Sequence, residues 1–432
     1  MDNLRAKAKQ LKDEGAFIDA VFVYEQVYQE NNDKWIWWEY AYCLKKLGRH
    51  NQALQISKGL YFREKAFKYN NNLLAWILYE IYFKNMKETY SYEEVIQLYN
   101  IALFVSELEL EKNNSPSNRM FLKTLRILKR DNSKYENEMY KLLNKIDYHK
   151  LSTEPGTYID RKGNVKEYQS DKEMYYAYKT KVLHNKEKYD ECIVCCEEAL
   201  REINAFHHDN DIWIKYRKAL CIGKTGDISK AIAELEEILI IKTHWIILAE
   251  IAKLYQIAHD EKTALSYFCR AAITNTPPRM KVSLYYDMSS FLNNIGQVQL
   301  AYLHLLFSIN IRSAEGWNIP DYVVDLMKVL KKREEENIVK IDILKKYWIS
   351  VIYNELTPFT GNVIDIHKNG KFGFIKHENN SYYFKTDSVV SNSKIRKNDR
   401  VKFCIVESFD RIKSKTSTEA VYITVDNTKK NS

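Results

Sequence analysis

The chain has 432 residues, 45% hydrophobic and 28% charged, with a formal net charge of +9. That length exceeds one ordinary core, and that apolar fraction excludes wholesale disorder. Only 12 Gly and 6 Pro are spread along it, too few turn formers for a mostly β protein, so long helices are expected over most of the chain.

The opening Met1-Asp2-Asn3-Leu4-Arg5 runs into charged residues with no apolar segment behind it, which argues against a secretory signal. No stretch approaches the roughly 18 uninterrupted apolar residues of a membrane span. The seven Cys are an odd number at irregular spacing, a pattern that suits reduced thiols better than a disulfide framework. A cytoplasmic protein with no membrane partner is the resulting expectation.

From the N-terminus a pattern recurs with a period near 34. A small or apolar residue is followed by an aromatic or apolar one four later and a small or apolar one three after that. The units are Ala20, Tyr24, Val27; Ala53, Ser57, Leu60; Val95, Tyr99, Ala102; Cys192, Cys196, Ala199; Ala231, Leu235, Ile238; Ala264, Phe268, Ala271; and Ala301, Leu305, Ser308. In four of these units a glycine (Gly15, Gly48, Gly226 or Gly296) lies five positions before the first anchor. The pattern resembles the tetratricopeptide repeat, in a degenerate form that generally lacks the consensus Pro. The resemblance implies antiparallel helix pairs joined at a glycine turn and stacked as an α-solenoid, whose concave face would hold a protein or peptide. Trp38, Trp76, Trp213 and Trp245 fall in first helices, where they are expected to fill the layer between pairs. Helical repeats are assigned to residues 1–105 and 171–357.

Residues 106–170 break the rhythm. Ser115-Pro116-Ser117 and Glu154-Pro155-Gly156 are turn signals with helix between them, and the run from Gly156 to Val165 suits a small hairpin turning near Lys162-Gly163-Asn164. The segment reads as a connecting insertion, with a partner-binding element as the alternative.

Three apparent motifs lack their context. Gly223-Lys224-Thr225-Gly226 resembles the end of a phosphate-binding loop, but position 218 is Lys rather than Gly and no strand precedes it. Cys192 and Cys195 have CxxC spacing mid-helix, without a second pair to complete a zinc site. His207-His208-Asp209-Asn210-Asp211 reads as a loop ending in a helix cap. No spacing defends an acid–base pair or a nucleophile with its base, so no enzyme activity, metal or cofactor is expected.

Beyond residue 358 the pattern alternates. Strands are expected at Gly361–Ile366, Lys371–Lys376, Tyr382–Lys385, Val401–Ile405 and Ala420–Ile423, enough for a small barrel over 358–426, with 427–432 as a tail. This part also concentrates charge. From residue 361 onward there are 14 Lys and Arg against 8 Asp and Glu, a bias that attracts polyanions. Gly370-Lys371-Phe372-Gly373-Phe374-Ile375 and Tyr382-Tyr383-Phe384-Lys385-Thr386 resemble the two ribonucleoprotein motifs of the cold-shock domain, an OB-fold family. The expected fold class is thus mainly α, a degenerate tetratricopeptide-like α-solenoid followed by a five-stranded OB/cold-shock-like β-barrel.

Strand alternation puts Phe372 and Phe374 on one face, and Tyr383 and Lys385 on one face of the next strand. Together Phe372, Phe374 and Tyr383 would form a stacking platform for unpaired bases. Lys371, Lys376, Lys385 and His367 would lie near phosphates. Asp365 and Ile366 stand where the family has a Trp-Phe pair, and Lys385 and Thr386 where it has His-Phe. About half the platform remains, so weaker or narrower binding is expected than in a typical member. The overall reading is a non-enzymatic scaffold or adaptor that binds single-stranded RNA or DNA. A protein–protein adaptor or peptide-responsive regulator whose barrel no longer binds nucleic acid is the alternative. Housekeeping RNA metabolism, stress response and bacterial anti-phage defence remain open as settings.

Overall fold

The computed structural model describes residues 2–28, 32–110, 115–131, 133–330, 339–391, 394–410 and 415–426. The tail assigned to 427–432 lies outside the described residues. The chain forms two compact units, Met1–Asn210 and Asp211–Ser432.

In the first unit, α1 (Asp2–Asp13) pairs with α2 (Phe17–Val27), and α3 (Lys34–Lys46) with α4 (His50–Arg63). Helix α5 (Lys68–Leu78) runs into a short π-helical turn, and α6 (Tyr92–Ser106) starts at a Ser91–Glu94 capping box. Then come α7 (Ser117–Leu128), α8 (Glu136–Leu143) and a two-stranded hairpin of β1 (Gly156–Ile159) and β2 (Val165–Tyr168). Helices α9 (Asp171–Asn185) and α10 (Tyr189–Glu202) close the unit.

The second unit continues with α11 (Asn210–Lys224), α12 (Ile228–Ile241), α13 (Trp245–Ile257), α14 (Glu261–Ile273), α15 (Val282–Asn294), α16 (Val298–Ala314), α17 (Asp321–Leu330) and α18 (Ile341–Glu355). Helix α13 packs on α14 and α15 on α16, while α18 folds back on α14. Mainly α, the chain is a tetratricopeptide-like array of helix pairs ending in a β-barrel. Among the described residues no helix is long and apolar enough to cross a membrane.

The repeat anchors explain the packing. Every anchor residue, from Ala20, Tyr24 and Val27 to Ala301, Leu305 and Ser308, is buried, in α2, α4, α6, α10, α12, α14 and α16. Small side chains at these positions let neighbouring helices approach closely. The four turn glycines all have positive φ; Gly226, at +110°, ends α11 and hands the chain to Asp227, whose side chain caps α12. In two of the three units without that glycine, Glu187 and His259 occupy the equivalent place with φ of 58° and 60°. The tryptophans behave differently from expectation. Ile36, Ile77, Ile214 and Ile247 fill the layer between helices, while Trp38, Trp76, Trp213 and Trp245 stay only partly buried. Their indoles sit at the edge of the layer, where they meet other rings and lysines, as Trp38 meets Tyr42 and Lys12.

The barrel consists of β3 (Phe359–Ile366), β4 (Phe372–His377), β5 (Asn380–Lys385), β6 (Arg400–Asp410) and β7 (Lys415–Val425). It closes in the order β3-β4-β5-β7-β6, with β5 and β7 parallel and the other neighbours antiparallel. Val363, Ile375, Phe384, Val401, Phe403, Ala420 and Ile423 fill its interior.

Candidate nucleic-acid interface

The β4–β5 register brings the sequence-derived aromatics together. Phe374 lies opposite Tyr383, and Phe372 opposite Lys385. Ring centroids are 5.6 Å apart for Phe372–Tyr383, 6.0 Å for Phe374–Tyr383 and 6.4 Å for Phe372–Phe374. Three rings thus share one patch, with Phe374 the most open at 36% exposure. His367 stacks on Phe372 at 4.5 Å with the planes 16° apart, so it extends the platform. Gly373 makes the patch possible. A Cβ there would lie 2.5 Å from the Asp365 carbonyl and 2.7 Å from the Phe384 ring.

The patch forms one wall of a cleft of about 1650 Å³ inside the second unit. Phe372, Phe374, Tyr383 and Lys385 line it; Lys371, Lys376 and His367 do not. Lys371 and Lys376 are exposed outside it. Lys385 is not a free cation, because its Nζ lies 3.2 Å from Glu419 Oε2.

The opposite wall comes from α12, α13, α14 and the loops beside them, contributing Lys242, His244, Trp245, Tyr267 and Arg270. Sequence reasoning missed this wall. Trp245 looked like a packing residue, and nothing in the pattern links α13 to strands more than a hundred residues away. The His244 ring lies face-adjacent to Trp245 at 6.2 Å and edge-on to Trp213 at 5.1 Å. Its Nδ1 accepts from the Ile246 amide, and burial together with Lys242 holds its pKa below the ordinary value. The His244 ring is therefore a neutral aromatic near pH 7. Tyr267 donates to Glu236 at 2.6 Å and lies under the Arg270 guanidinium at 4.3 Å.

Two contacts hold the barrel at this distance from the helices. Tyr353 Oη of α18 donates to the Tyr422 carbonyl at 2.7 Å and lies 2.9 Å from Thr424 Oγ1. Arg270 Nε donates to Tyr422 Oη at 3.0 Å. Tyr422 has a φ of +53°, uncommon for a bulky residue. It sits opposite the β6 irregularity between Lys402 and Cys404, where β7 turns its carbonyl and ring toward the helices.

The cleft is aromatic on both sides and mixed in charge. Lys242, Arg270 and Lys385 face Glu236, Glu237, Asp387, Glu407 and Glu419. Such a lining suits flat rings with polar edges better than it suits a run of phosphates. Elsewhere, His207 Nδ1 pairs with the buried Glu173 carboxylate at 2.9 Å, and Asn210 opens α11. No group of three or more His, Cys, Asp or Glu that could hold a metal is found among the described residues.

The fold and this cleft define a class: a helical-repeat protein carrying a closed five-stranded barrel. A family model described as a domain of unknown function (DUF7017) matches residues 212–344, a minority of the chain. No curated protein sequence matches. Among solved structures, the human IFIT1 dimer with PPP-AAAA is 13% identical, with 81% of this chain and 77% of that one covered at a TM-score of 0.36. A thermophilic tetratricopeptide repeat protein of Thermus thermophilus is 15% identical over 55% of this chain and 89% of its own, at 0.21. One from Parabacteroides merdae is 10% identical over 76% and 98%, at 0.26. At these scores the fold rests on the chain's own geometry.

Proposed function

We propose that the barrel is an OB barrel of the cold-shock kind and that its cleft binds a single-stranded RNA or DNA segment by aromatic stacking. The repeats then serve as a scaffold for a protein or peptide partner, and the role is binding rather than catalysis. The observation that carries this reading is the contiguous Phe372–Phe374–Tyr383 patch facing His244 and Trp245 across an open cleft. Unpaired bases are flat and apolar on their faces and fit such a slot, whereas a stacked duplex presents only its edges. The five-stranded closure and strand order support the OB reading. Lys371 and Lys376, exposed beside the platform, would meet phosphates outside the cleft in this reading.

Five carboxylates against three cations in the lining favour a second reading. In it the slot takes a peptide with a basic or aromatic side chain, and the protein is an adaptor or peptide-responsive regulator. Fluorescence anisotropy with labelled single-stranded RNA and DNA over a salt series separates the two. The nucleic-acid reading expects salt-sensitive binding to the intact chain, lost by at least about tenfold in a folded Phe372→Ala, Phe374→Ala, Tyr383→Ala variant. Absence of binding, or equal binding by the variant, turns the search to peptides.

A further inference from the structure

Glu419 is the group in the cleft that a simple stacking site leaves without a purpose. It lies beside Tyr383 in the β5–β7 pairing and is only 8% exposed. Its carboxylate sits 3.2 Å from Lys385 Nζ and accepts from Ser408 Oγ at 3.2 Å. A nearly buried carboxylate beside a base-stacking platform repels phosphate, and it repels any base edge that presents only acceptors to it. It is satisfied by an edge with two adjacent N–H donors.

We infer that Glu419 and Lys385 make this site selective for guanine; the inference rests on the nucleic-acid reading above. A base stacked on the ring of Tyr383 turns one edge toward β7, where the ammonium and the carboxylate stand side by side. Guanine's pairing edge runs O6, N1–H, N2–H. The ammonium donates to O6 while the carboxylate accepts from N1–H and N2–H, so the exposed Lys385 and the buried Glu419 both keep partners when the base enters. Uracil and thymine offer one N–H between two acceptors, and adenine offers an acceptor at N1. Either arrangement sets a lone pair against the carboxylate. Cytosine, like adenine, offers a single amino group next to an acceptor and satisfies the pair only in part. Glu419 is on this account a specificity-determining residue whose cost to phosphate affinity is offset by one correct base.

The test uses the full chain and three fluorescein-labelled nine-nucleotide RNAs: all uridine, uridine with one central guanosine, and the same with inosine, which lacks the N2 amine. The guanosine strand should bind about tenfold or more tighter than the all-uridine strand, with inosine between them. In Glu419→Gln the three should converge to within about twofold, with all-uridine binding no weaker than in the parent. Lys385→Met should also narrow the guanosine preference, which gives a second reading if Glu419→Gln does not fold. Binding of all three strands by the parent without discrimination, or a preference that survives both substitutions, overturns the guanine inference and leaves the nucleic-acid reading standing. If no strand binds the parent, both fall together.

Discussion

A Cβ placed on Gly226 would meet open space, whereas one on Gly373 would meet the Asp365 carbonyl at 2.5 Å and the Phe384 ring at 2.7 Å. The first glycine, in a helix turn, is there for its φ of +110°; the second, in the barrel, is there for room. The difference follows from how each region is built. Helix pairs meet along their buried faces and leave their turns in solvent, so a turn is a local problem of backbone angle. In a small closed barrel an inward glycine faces the backbone of a neighbouring strand and core side chains at once, as Gly373 and Gly361 do, so an extra methyl is a problem for the whole structure. Damage should therefore stay local in the repeats and spread in the barrel.

The largest expected effect breaks the barrel alone. Gly373→Ala pushes β4 off either β3 or Phe384, at a cost of about 3 kcal/mol or more, and it tilts the platform that Phe372 and Phe374 share with Tyr383. Thermal unfolding followed by circular dichroism should show a barrel transition shifted well below the helical one. A single unshifted transition would mean that the barrel tolerates the methyl and that the contrast is false.

Acid should strike the other region. His304 is buried in α16, with Nδ1 2.7 Å from the Leu300 carbonyl and Nε2 accepting from Trp348 Nε1 at 2.9 Å. Both nitrogens are committed in the neutral form, and burial pushes the pKa down to about 4 from an ordinary 6.5. Because the folded value is depressed, the unfolded chain binds the proton first. Stability is then full above pH 6.5 and falls as the pH drops from there to about 4, by up to roughly 3 kcal/mol. Denaturation of parent and His304→Gln at about pH 7, 5.5 and 4.5 should show a steeper fall in the parent. Parallel curves would remove His304 as the cause.

Tyr353→Phe probes the junction between the two regions. It deletes the hydroxyl that donates to the Tyr422 carbonyl and neighbours Thr424, at about 1 to 2 kcal/mol. The barrel should keep its own fold while its attachment to α18 loosens, so hydrogen exchange should rise at 422–424 and not inside β4. Uniform exchange across the barrel would mean that Tyr353 supports folding rather than docking.

How legible each region was follows from the same contrast. The anchors Ala231, Leu235 and Ile238 are a spacing, and spacing is written in the sequence. All seven anchor sets were readable because each settles a contact between adjacent helices. Glycine was readable in only four turns because Glu187 and His259 accept the left-handed backbone in others. The five strands and the Phe372–Phe374–Tyr383 face were legible from alternation. The wall opposite them was not, since Lys242, His244, Trp245 and Arg270 owe their place to Tyr353 and Tyr422, a contact between distant segments without a local pattern. Lys385 was legible as a cation, but its pairing with Glu419 depends on the single parallel contact of β5 with β7.

The smallest effect sharpens the comparison most, because it can be run in both directions at one turn. His259 carries a φ of 60° with its side chain exposed, so it bears the left-handed cost and gains little packing in return. His259→Gly removes that cost, worth about 1 kcal/mol, partly offset by the greater freedom of glycine in the unfolded chain. Gly226→Ala adds the same cost at the equivalent turn, destabilising by about 1 kcal/mol. The two shifts should be of opposite sign and about 2 °C each in the helical transition. The double variant should return close to the parent, since the two turns share no partner and their effects add. Shifts of the same sign would show that the turns are not equivalent, and that His259 contributes a contact that its exposed position hides.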